Sequence, residues 1–392
     1  MNIIEMPLEP RNCECCGNTD LESVWTNESF VTKASASYRF KVFAVVCKIC
    51  GFCFSSPVYR NEFLSDYYAD GLSRSKDIML PYSIEPRVAF LKKYSVPNGI
   101  LAEIGGDQAN DFQSSLNGFF DKVINIELTA NSGADYISIN DVPSNYVDII
   151  THYDVLEHVP RIMEFLTICK GILKKNGVMI CEVPDIRLYP RNLLLLEYEH
   201  VNHFSVLTLS TIAAQCGLEL LEVGHICSRP FGFVAAFRKR DILSINQTID
   251  MPFEYLDAQS YIQGAIYQVE NVYEHIKSIQ DKIAKVAGQG KKITVWCVTD
   301  LLYRLIKNHE LPKNAIVVDT DPRRQTHLNS YGLEVFQPKN QISHIKYSDL
   351  LVICAPRYKE EILEWIYTFT GKRFSGSELE VMGTGPSGES LI

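Results

Sequence analysis

From about residue 99 onward, apolar residues fall into short runs separated by turns and helix-like segments. The runs GILAEIGG, KVINIEL and GVMICEVPD each predict one strand, and VDIITHYDVLEHV predicts a strand that leads into the start of a helix. Strands that alternate with helical segments predict an α/β fold, with a parallel sheet covered by helices on both faces. In such a sheet, ligands are expected at the carboxyl ends of the strands.

The C-terminal third has a different pattern. Residues 258–286 carry Ile and Val at helical spacing and predict one long amphipathic helix, stopped by Gly288 and Gly290. Three further strands are then predicted from KITVWCV, AIVVDTD and DLLVICAP, which together form a smaller Rossmann-like sheet. The turn after the first of them, residues 298–300, lacks glycine, which argues against an independent dinucleotide site.

The first 53 residues hold six of the twelve cysteines. Four of these form two C-x2-C pairs, Cys13 with Cys16 and Cys47 with Cys50, and this spacing lets both thiolates of a pair face one metal ion. The intervening SYRFKVFAVV alternates like a strand pair, so the segment is predicted to be a zinc ribbon. The zinc is expected to be structural, because four cysteines leave no open coordination position for catalysis.

Composition limits the partners and the location of the chain. Its 392 residues carry a formal net charge of −9, which gives a nucleic-acid partner no electrostatic support. No apolar run approaches the roughly 18–20 residues that span a bilayer, and the first ten residues lack the pattern of a signal peptide. We therefore expect a cytoplasmic protein without membrane partners. Three domains are predicted, at about 1–80, 81–245 and 246–392.

Three polar groups are predicted to meet at the carboxyl edge of the central sheet. The first is the turn containing Glu103, Gly105, Gly106 and Asp107, where small residues let a nucleoside approach the backbone. The second is Glu127, which closes the next strand and suits a ribose diol. The third follows the next clear strand and consists of His152, Tyr153 and Asp154. All of these residues are candidate cofactor ligands.

The strings E-I-G-G, I-E-L, D-V-L-E-H-V and E-V-P, in this order, resemble class I S-adenosylmethionine (SAM) methyltransferases. The two cysteine pairs and a later E-H-x-x-x-F-S narrow the resemblance to the SAM-dependent sugar C-methyltransferases of deoxysugar and surface-polysaccharide biosynthesis. The resemblance extends over all three segments of the chain. It implies a zinc-binding domain, a class I methyltransferase Rossmann-like sheet and a smaller Rossmann-like domain. It also implies SAM as cofactor and a nucleotide-linked sugar as substrate.

The stretch YEHVNHFS supplies candidate catalytic groups. Methylation of a carbon beside a ketone needs a base that removes a carbon-bound proton, and histidine suits that role near neutral pH. The resemblance implies His200 as the leading base, with Glu199 as its orienting or substrate-binding partner and Tyr198 as a hydrogen-bond donor. His158 is a second candidate base, or else a histidine hydrogen-bonded near a helix start. His203 is expected to be structural.

Two other functions stay open at this point. One is O-methylation of a sugar or natural-product hydroxyl, and the other is a binding or scaffold protein that has kept the fold and lost catalysis. The second is motivated by Ala109, which replaces a glycine of the family's first turn, and by the glycine-poor turn at 298–300. Phe231 likewise occupies a glycine position of the family. The sequence does not define an oligomeric state.

Overall fold

The computed structural model describes residues 3–32, 37–60, 63, 84–106, 112, 115–116, 118–127, 133–191, 196, 199–225, 232–240, 252–306, 311–321 and 334–382. The chain forms two compact units, Met1–Ile266 and Tyr267–Ile392.

The described elements of the first unit make up an N-terminal sheet and a central sheet. Their strands are β1 (Ile3–Glu5), β2 (Leu8–Glu9), β3 (Leu21–Thr32), β4 (Ser37–Cys47), β5 (Cys53–Ser55), β6 (Val58–Tyr59), β7 (Ile100–Ile104), β8 (Lys122–Ile126), β9 (Val147–Tyr153), β10 (Leu173–Pro184), β11 (Asn202–His203), β12 (Leu218–Gly224) and β13 (Gly232–Lys239). The helices are α1 (Glu85–Lys92), α2 (Ile162–Ile172), α3 (Val206–Gln215) and α4 (Pro252–Gly288), and α4 continues into the second unit.

The N-terminal sheet places both cysteine pairs at the open end of a long hairpin, because Leu21 at the start of β3 pairs with Cys47 at the end of β4. Its strands run in the order β1, β4, β5, β11, with β3 paired to β4. The segment SYRFKVFAVV, predicted as a strand pair, is a single strand, because β4 finds its antiparallel partner in Leu21–Thr32. Strict alternation marks a half-buried strand but does not say how many strands it contains. A small separate pair joins β2 to β6.

The central sheet has the order β12, β13, β10, β9, β7, β8. Strands β7, β8, β9 and β10 are parallel, as predicted. The prediction of an all-parallel sheet was wrong at one edge, where β13 runs antiparallel to both β10 and β12. Antiparallel neighbours need only a short connection, whereas a parallel pair needs a crossover of a dozen or more residues. Seven residues separate Gly224 from Gly232, which suits the antiparallel pairing.

Helices cover both faces of this sheet, as the strand and helix alternation predicted. One face packs the buried side chains Leu101, Ile149 and Ile180 against Phe90 and Leu91 of α1. The opposite face packs its own apolar residues against α2 and α3, which contribute Leu166, Cys169, Leu209 and Ile212. Successive residues of a strand point to opposite faces, so each strand feeds both cores.

The second unit contains the predicted smaller sheet. Its described elements are β14 (Ile293–Trp296), α5 (Asp300–Ile306), β15 (Ala315–Val318), β16 (Val335–Phe336), α6 (Ile342–Lys346), β17 (Leu350–Ile353), α7 (Lys359–Thr370) and β18 (Leu379–Val381). All strands are parallel, in the order β16, β15, β14, β17, β18. The short edge strands β16 and β18 were not predicted. The buried carboxylate of Asp319 accepts hydrogen bonds from the N–H groups of Val298 and Asp321. It therefore stabilises the turn after β14.

The long helix α4 begins six residues before its predicted start and ends at Gly288, where it was predicted to stop. The seven apolar positions that predicted the helix are all buried, namely Ile262, Ile266, Val269, Val272, Ile276, Ile279 and Ile283. They therefore serve as core, which is the role that their spacing indicated.

Candidate active site

The carboxyl ends of β7, β8 and β9 lie side by side, because β7 pairs in parallel with both of the other strands. The turn after β7 is tied to the end of β8 by a hydrogen bond of 2.9 Å from the Gly105 N–H to the Ile126 carbonyl. Glu127 follows directly and is half-buried. The structure thus brings the predicted glycine turn and Glu127, which was predicted to bind a ribose, to one edge of the sheet.

Glycine is required at two adjacent positions of this turn. Gly105 has a φ of +71°, and a β-carbon there would lie 2.7 Å from Cγ2 of Val155. At Gly106 a β-carbon would lie 2.2 Å from the carboxyl carbon of the buried Glu103. The turn therefore carries no side chain at either position, and its backbone packs closely against Val155 and Glu103. Asp107 and Ala109, both part of the predicted turn, lie outside the described residues.

The three predicted ligands at the carboxyl end of β9 point in different directions. His152 is fully buried against Phe165 of α2, with ring centroids 5.4 Å apart, and burial lowers its pKa to about 3. It is therefore neutral, and neither ring nitrogen has a hydrogen-bond partner among the described residues. Tyr153 points to the opposite face, where its ring meets Phe112. Asp154 sits at the edge with a φ of +56°, a left-handed conformation that is uncommon outside glycine.

A buried ion network crosses this edge and was not predicted. The Arg87 guanidinium donates to the Asp154 carboxylate at 2.7 Å and to the Glu182 carboxylate at 2.8 and 3.3 Å. It also stacks over the Tyr153 ring, 4.5 Å from its centroid. Burial disfavours the charged form of Arg87, but the two carboxylates outweigh it and raise its pKa. The network fixes α1 against the ends of β9 and β10.

Two predicted catalytic histidines meet beside this edge. The rings of His158 and His200 have centroids 4.9 Å apart and cross at 72°. A carboxylate oxygen of Glu157, which is buried, lies within 4.8 Å of a ring nitrogen of each histidine. The structure therefore brings together two candidate bases and a carboxylate that can stabilise a positive charge on either ring.

The tautomer of His158 is set by a backbone carbonyl. Its Nδ1 lies 2.9 Å from the carbonyl oxygen of Glu199, and because a carbonyl only accepts hydrogen bonds, Nδ1 carries the proton. In the neutral ring, Nε2 is then the basic atom, and it lies 3.8 Å from the Glu157 carboxylate. Glu199 itself is buried. Tyr198, the third member of the predicted group, lies outside the described residues.

The histidine pair is linked to the glycine turn through Val155. The Val155 side chain faces Gly105, and its carbonyl accepts the His158 N–H at 3.0 Å across the short 3-10 helix Leu156–His158. This one short helix therefore separates the candidate bases from the glycine turn at the sheet edge. His203, expected to be structural, is fully buried, and its Nδ1 meets the Tyr189 hydroxyl at 2.8 Å.

Comparison with known proteins identifies this part of the chain. Residues 78–223 match the model of a family described as a methyltransferase domain. The middle of the chain is a methyltransferase domain. Its sheet and the turn after β7 form the class I Rossmann-like fold of SAM-dependent methyltransferases, as the sequence predicted. No curated protein sequence matches the chain significantly.

Solved structures similar to this chain include several methyltransferases. A SAM-dependent methyltransferase from Mesorhizobium loti is 11% identical, with a TM-score of 0.33, and the match covers 40% of this chain and 98% of that one. The 1,6-didemethyltoxoflavin-N1-methyltransferase from Burkholderia thailandensis, solved with S-adenosylhomocysteine, is 13% identical, with a TM-score of 0.38 and coverage of 48% and 96%. None of the described helices has the length and apolar composition needed to cross a bilayer.

Ahead of the methyltransferase domain, the four predicted metal ligands form one cluster. The sulfur atoms of Cys13, Cys16, Cys47 and Cys50 all lie within 4.8 Å of one another, and two pairs approach to 3.5 Å. Each C-x2-C motif forms a knuckle, closed by a hydrogen bond from the N–H of the following glycine to the carbonyl of the first cysteine. These bonds run from Gly17 to Cys13 and from Gly51 to Cys47. Both glycines have positive φ, as the turn requires.

The donor set fits a tetrahedral zinc ion. With Zn–S bonds of about 2.3 Å, tetrahedral geometry places sulfur atoms roughly 3.8 Å apart, close to the observed separations. Hydrogen bonds from the Cys13 and Cys50 thiols already lower the pKa of the Cys47 thiol, and a metal ligand must be a thiolate. Cys15 and Cys53, the other two cysteines of the first 53 residues, are both buried and lie outside the cluster.

Sequence reasoning missed three residues around the methyltransferase site. Glu182 is the charge inside the apolar run GVMICEV, and Glu157 is the acid inside VLEHV, so each carried a signal in the form of a charge next to apolar residues. Arg87 carried none, because its partners lie 67 and 95 residues away along the chain.

Proposed function

We propose that this chain is a SAM-dependent methyltransferase that methylates a carbon beside the keto group of a nucleotide-linked sugar, with His200 as general base. The observation that carries the proposal is the pairing of His158 and His200, with Glu157 beside them, one short turn from the bare backbone at Gly105. A methyltransferase that acts on a carbon beside a ketone needs a base to remove the proton of that carbon, and the two histidines are candidates for this role.

The residues at the sheet edge fit SAM. The glycine turn after β7 would receive the nucleoside, and the carboxylate of Glu127 would accept hydrogen bonds from the ribose diol. Asp154 and the backbone at 152–154 would line the same edge. When bound, SAM supplies an electrophilic methyl group, so this chain must orient it and prepare the nucleophile.

The proton chemistry falls to the histidines. In the proposed reaction, a neutral imidazole nitrogen of His200 accepts the proton from the carbon beside the ketone, and the electron pair of the C–H bond moves into the enolate. The buried Glu157 carboxylate stabilises the resulting imidazolium by its negative charge. His158 contributes by position, because its Nδ1 is held by the Glu199 carbonyl and its other nitrogen faces the same cluster.

The substrate class is supported by the resemblance to sugar C-methyltransferases. The E-H-x-x-x-F-S string begins at Glu199 and contains the proposed base, and the two cysteine pairs precede the methyltransferase domain in the same order. Glu199 is buried, and its carbonyl oxygen lies 2.9 Å from Nδ1 of His158, so the string contacts the segment of the second candidate base.

Cofactor binding is open to calorimetry on the purified chain. We expect SAM and S-adenosylhomocysteine to bind the wild type, and Glu127→Ala to weaken binding by roughly 1–3 kcal/mol, because the ribose hydroxyls would lose their acceptor. Glu164→Ala is the control, since Glu164 lies on α2 and its side chain is 60% exposed. Absence of SAM binding by the wild type would favour the scaffold alternative over the enzyme.

We also propose that the four-cysteine cluster holds one structural zinc ion. Protein purified without chelator should contain about one zinc per chain, held by four sulfur atoms. Cys47→Ser should lose the metal. Cys15→Ser should keep it, because Cys15 lies between Cys13 and Cys16 in the sequence but does not belong to the cluster. Metal-free wild type, or a disulfide within the cluster, would refute the zinc assignment.

A further inference from the structure

One side chain near the cysteine cluster binds the backbone close to both candidate bases. Arg11 lies two residues before Cys13, and its side chain is only 10% exposed. Its guanidinium donates to four acceptors: the carbonyl oxygens of Ser55, Pro160 and Val201 and the side-chain oxygen of Asn202, at 2.9, 2.6, 2.6 and 2.7 Å.

The acceptors belong to three segments that are distant in sequence. Ser55 lies on β5 of the N-terminal sheet, Pro160 comes two residues after His158, and Val201 comes directly after His200. The planar guanidinium presents its donors in a fixed fork, so it holds these acceptors at set separations. The central carbon of the guanidinium also lies 4.8 Å from the centre of the Phe54 ring, so this ring packs against the guanidinium.

The two histidine segments are otherwise joined by a few hydrogen bonds that depend on the same alignment. The Val201 N–H donates to the Glu157 carbonyl at 2.8 Å. The Asn202 amide, itself oriented by Arg11, donates to the Leu156 and Val159 carbonyls at 2.9 and 2.7 Å. Arg11 thus lies at the centre of the contacts that set the spacing of the two rings.

A second side chain of the first cysteine knuckle reaches the same region. Glu14, next to Cys13, accepts the Ile162 N–H at 3.0 Å and the Met163 N–H at 3.4 Å. Both N–H groups belong to the first turn of α2, where they have no partner within the helix and where a carboxylate is favourable. Arg11 and Glu14 therefore both bind residues 160–163, which come just after the segment that carries His158.

We propose that Arg11 is a positioning residue that holds His158 and His200 at their catalytic separation. This inference rests on the proposed function, because it assumes that the histidines perform the chemistry.

The test compares Arg11→Ala with Arg161→Ala in the full-length, zinc-loaded chain. Arg161 is next to Pro160 but 57% exposed, and it pairs with Glu9 and Glu164. Arg11→Ala should lower kcat by about 10²-fold, the cost of misplacing catalytic groups by about 1 Å, while SAM affinity and zinc content stay unchanged. Millimolar guanidinium should restore part of kcat and methylammonium should not. Arg161→Ala should behave like wild type.

A spectroscopic measurement separates this inference from the proposed function. Imidazole nitrogen signals of His158 and His200 in NMR spectra should shift in Arg11→Ala and stay in place in Arg161→Ala, whether or not a substrate is turned over. Shifted signals in a protein that methylates nothing would support the positioning role and reject the function. Unshifted signals, or a kcat that guanidinium does not restore, would overturn the positioning role. If Arg11→Ala does not fold, Arg11→Lys keeps the charge with fewer donors, and its signals should shift in the same direction.

Discussion

His200→Asn is expected to lower turnover by roughly 10²–10⁴-fold while leaving SAM affinity unchanged. Asparagine keeps hydrogen-bonding capacity but cannot accept a proton near neutral pH, so the variant isolates the loss of the base. Turnover with a nucleotide 4-keto sugar and calorimetry with SAM measure the two quantities separately. His225→Asn is the matched control, because His225 is an exposed histidine after β12.

Proton exchange identifies which histidine acts. With S-adenosylhomocysteine in place of SAM, the wild type should exchange the carbon-bound proton of the substrate with deuterated water, and His200→Asn should lose that exchange. Exchange that survives in His200→Asn but vanishes in His158→Asn would transfer the role to His158, whose basic nitrogen faces Glu157. Turnover without exchange, on a substrate that lacks a ketone, would point to O-methylation instead.

Arg87→Met is expected to destabilise the first unit by about 3–5 kcal/mol, the cost of leaving buried carboxylates without their cation. The side chains of Arg87 and Glu182 are only 15% and 2% exposed. Hydrogen exchange read by mass spectrometry on peptides from β9 and β10 measures this unit separately from the second one. Lys93→Met, which removes an exposed pair with Glu222, should cost at most about 1 kcal/mol.

A second substitution checks the cause. Adding Glu182→Gln to Arg87→Met removes one uncompensated negative charge and should recover part of the lost stability. Equal destabilisation by Arg87→Met and Lys93→Met would show that the buried network is no more important than a surface pair. Failure of the double variant to recover would show that packing of Arg87 on Tyr153, rather than charge, accounts for the loss.

The sequence predicted the parts of the fold that are local or periodic. Four strands of the central sheet, β7 to β10, and the helix α4 followed from apolar runs and spacing, and the cysteine cluster followed from two short motifs. The antiparallel strand β13 was missed because pairing direction depends on which strands meet in space. Arg87 was missed for the same reason, since nothing within its own segment indicates the carboxylates of Asp154 and Glu182.

The site was predictable in kind but not in geometry. YEHVNHFS and VLEHV each suggested a base, but only the fold reveals that His158 and His200 face each other and that the Glu199 carbonyl sets a tautomer. The role of Arg11 lies further from sequence reasoning, because its acceptors are 44 to 191 residues away. A motif records which groups are present, whereas their distances depend on tertiary contacts.

Mass spectrometry of the purified chain incubated with SAM and a panel of nucleotide 4-keto sugars tests the proposed methylation most directly. We expect at least one sugar to become heavier by one CH2 group, with the new methyl on the carbon beside the ketone, and S-adenosylhomocysteine to form in equal amount. Recovery of every sugar and of SAM unchanged would contradict the assignment of a sugar methyltransferase, and a methyl group placed on oxygen would contradict the base-catalysed carbon chemistry assigned to His200.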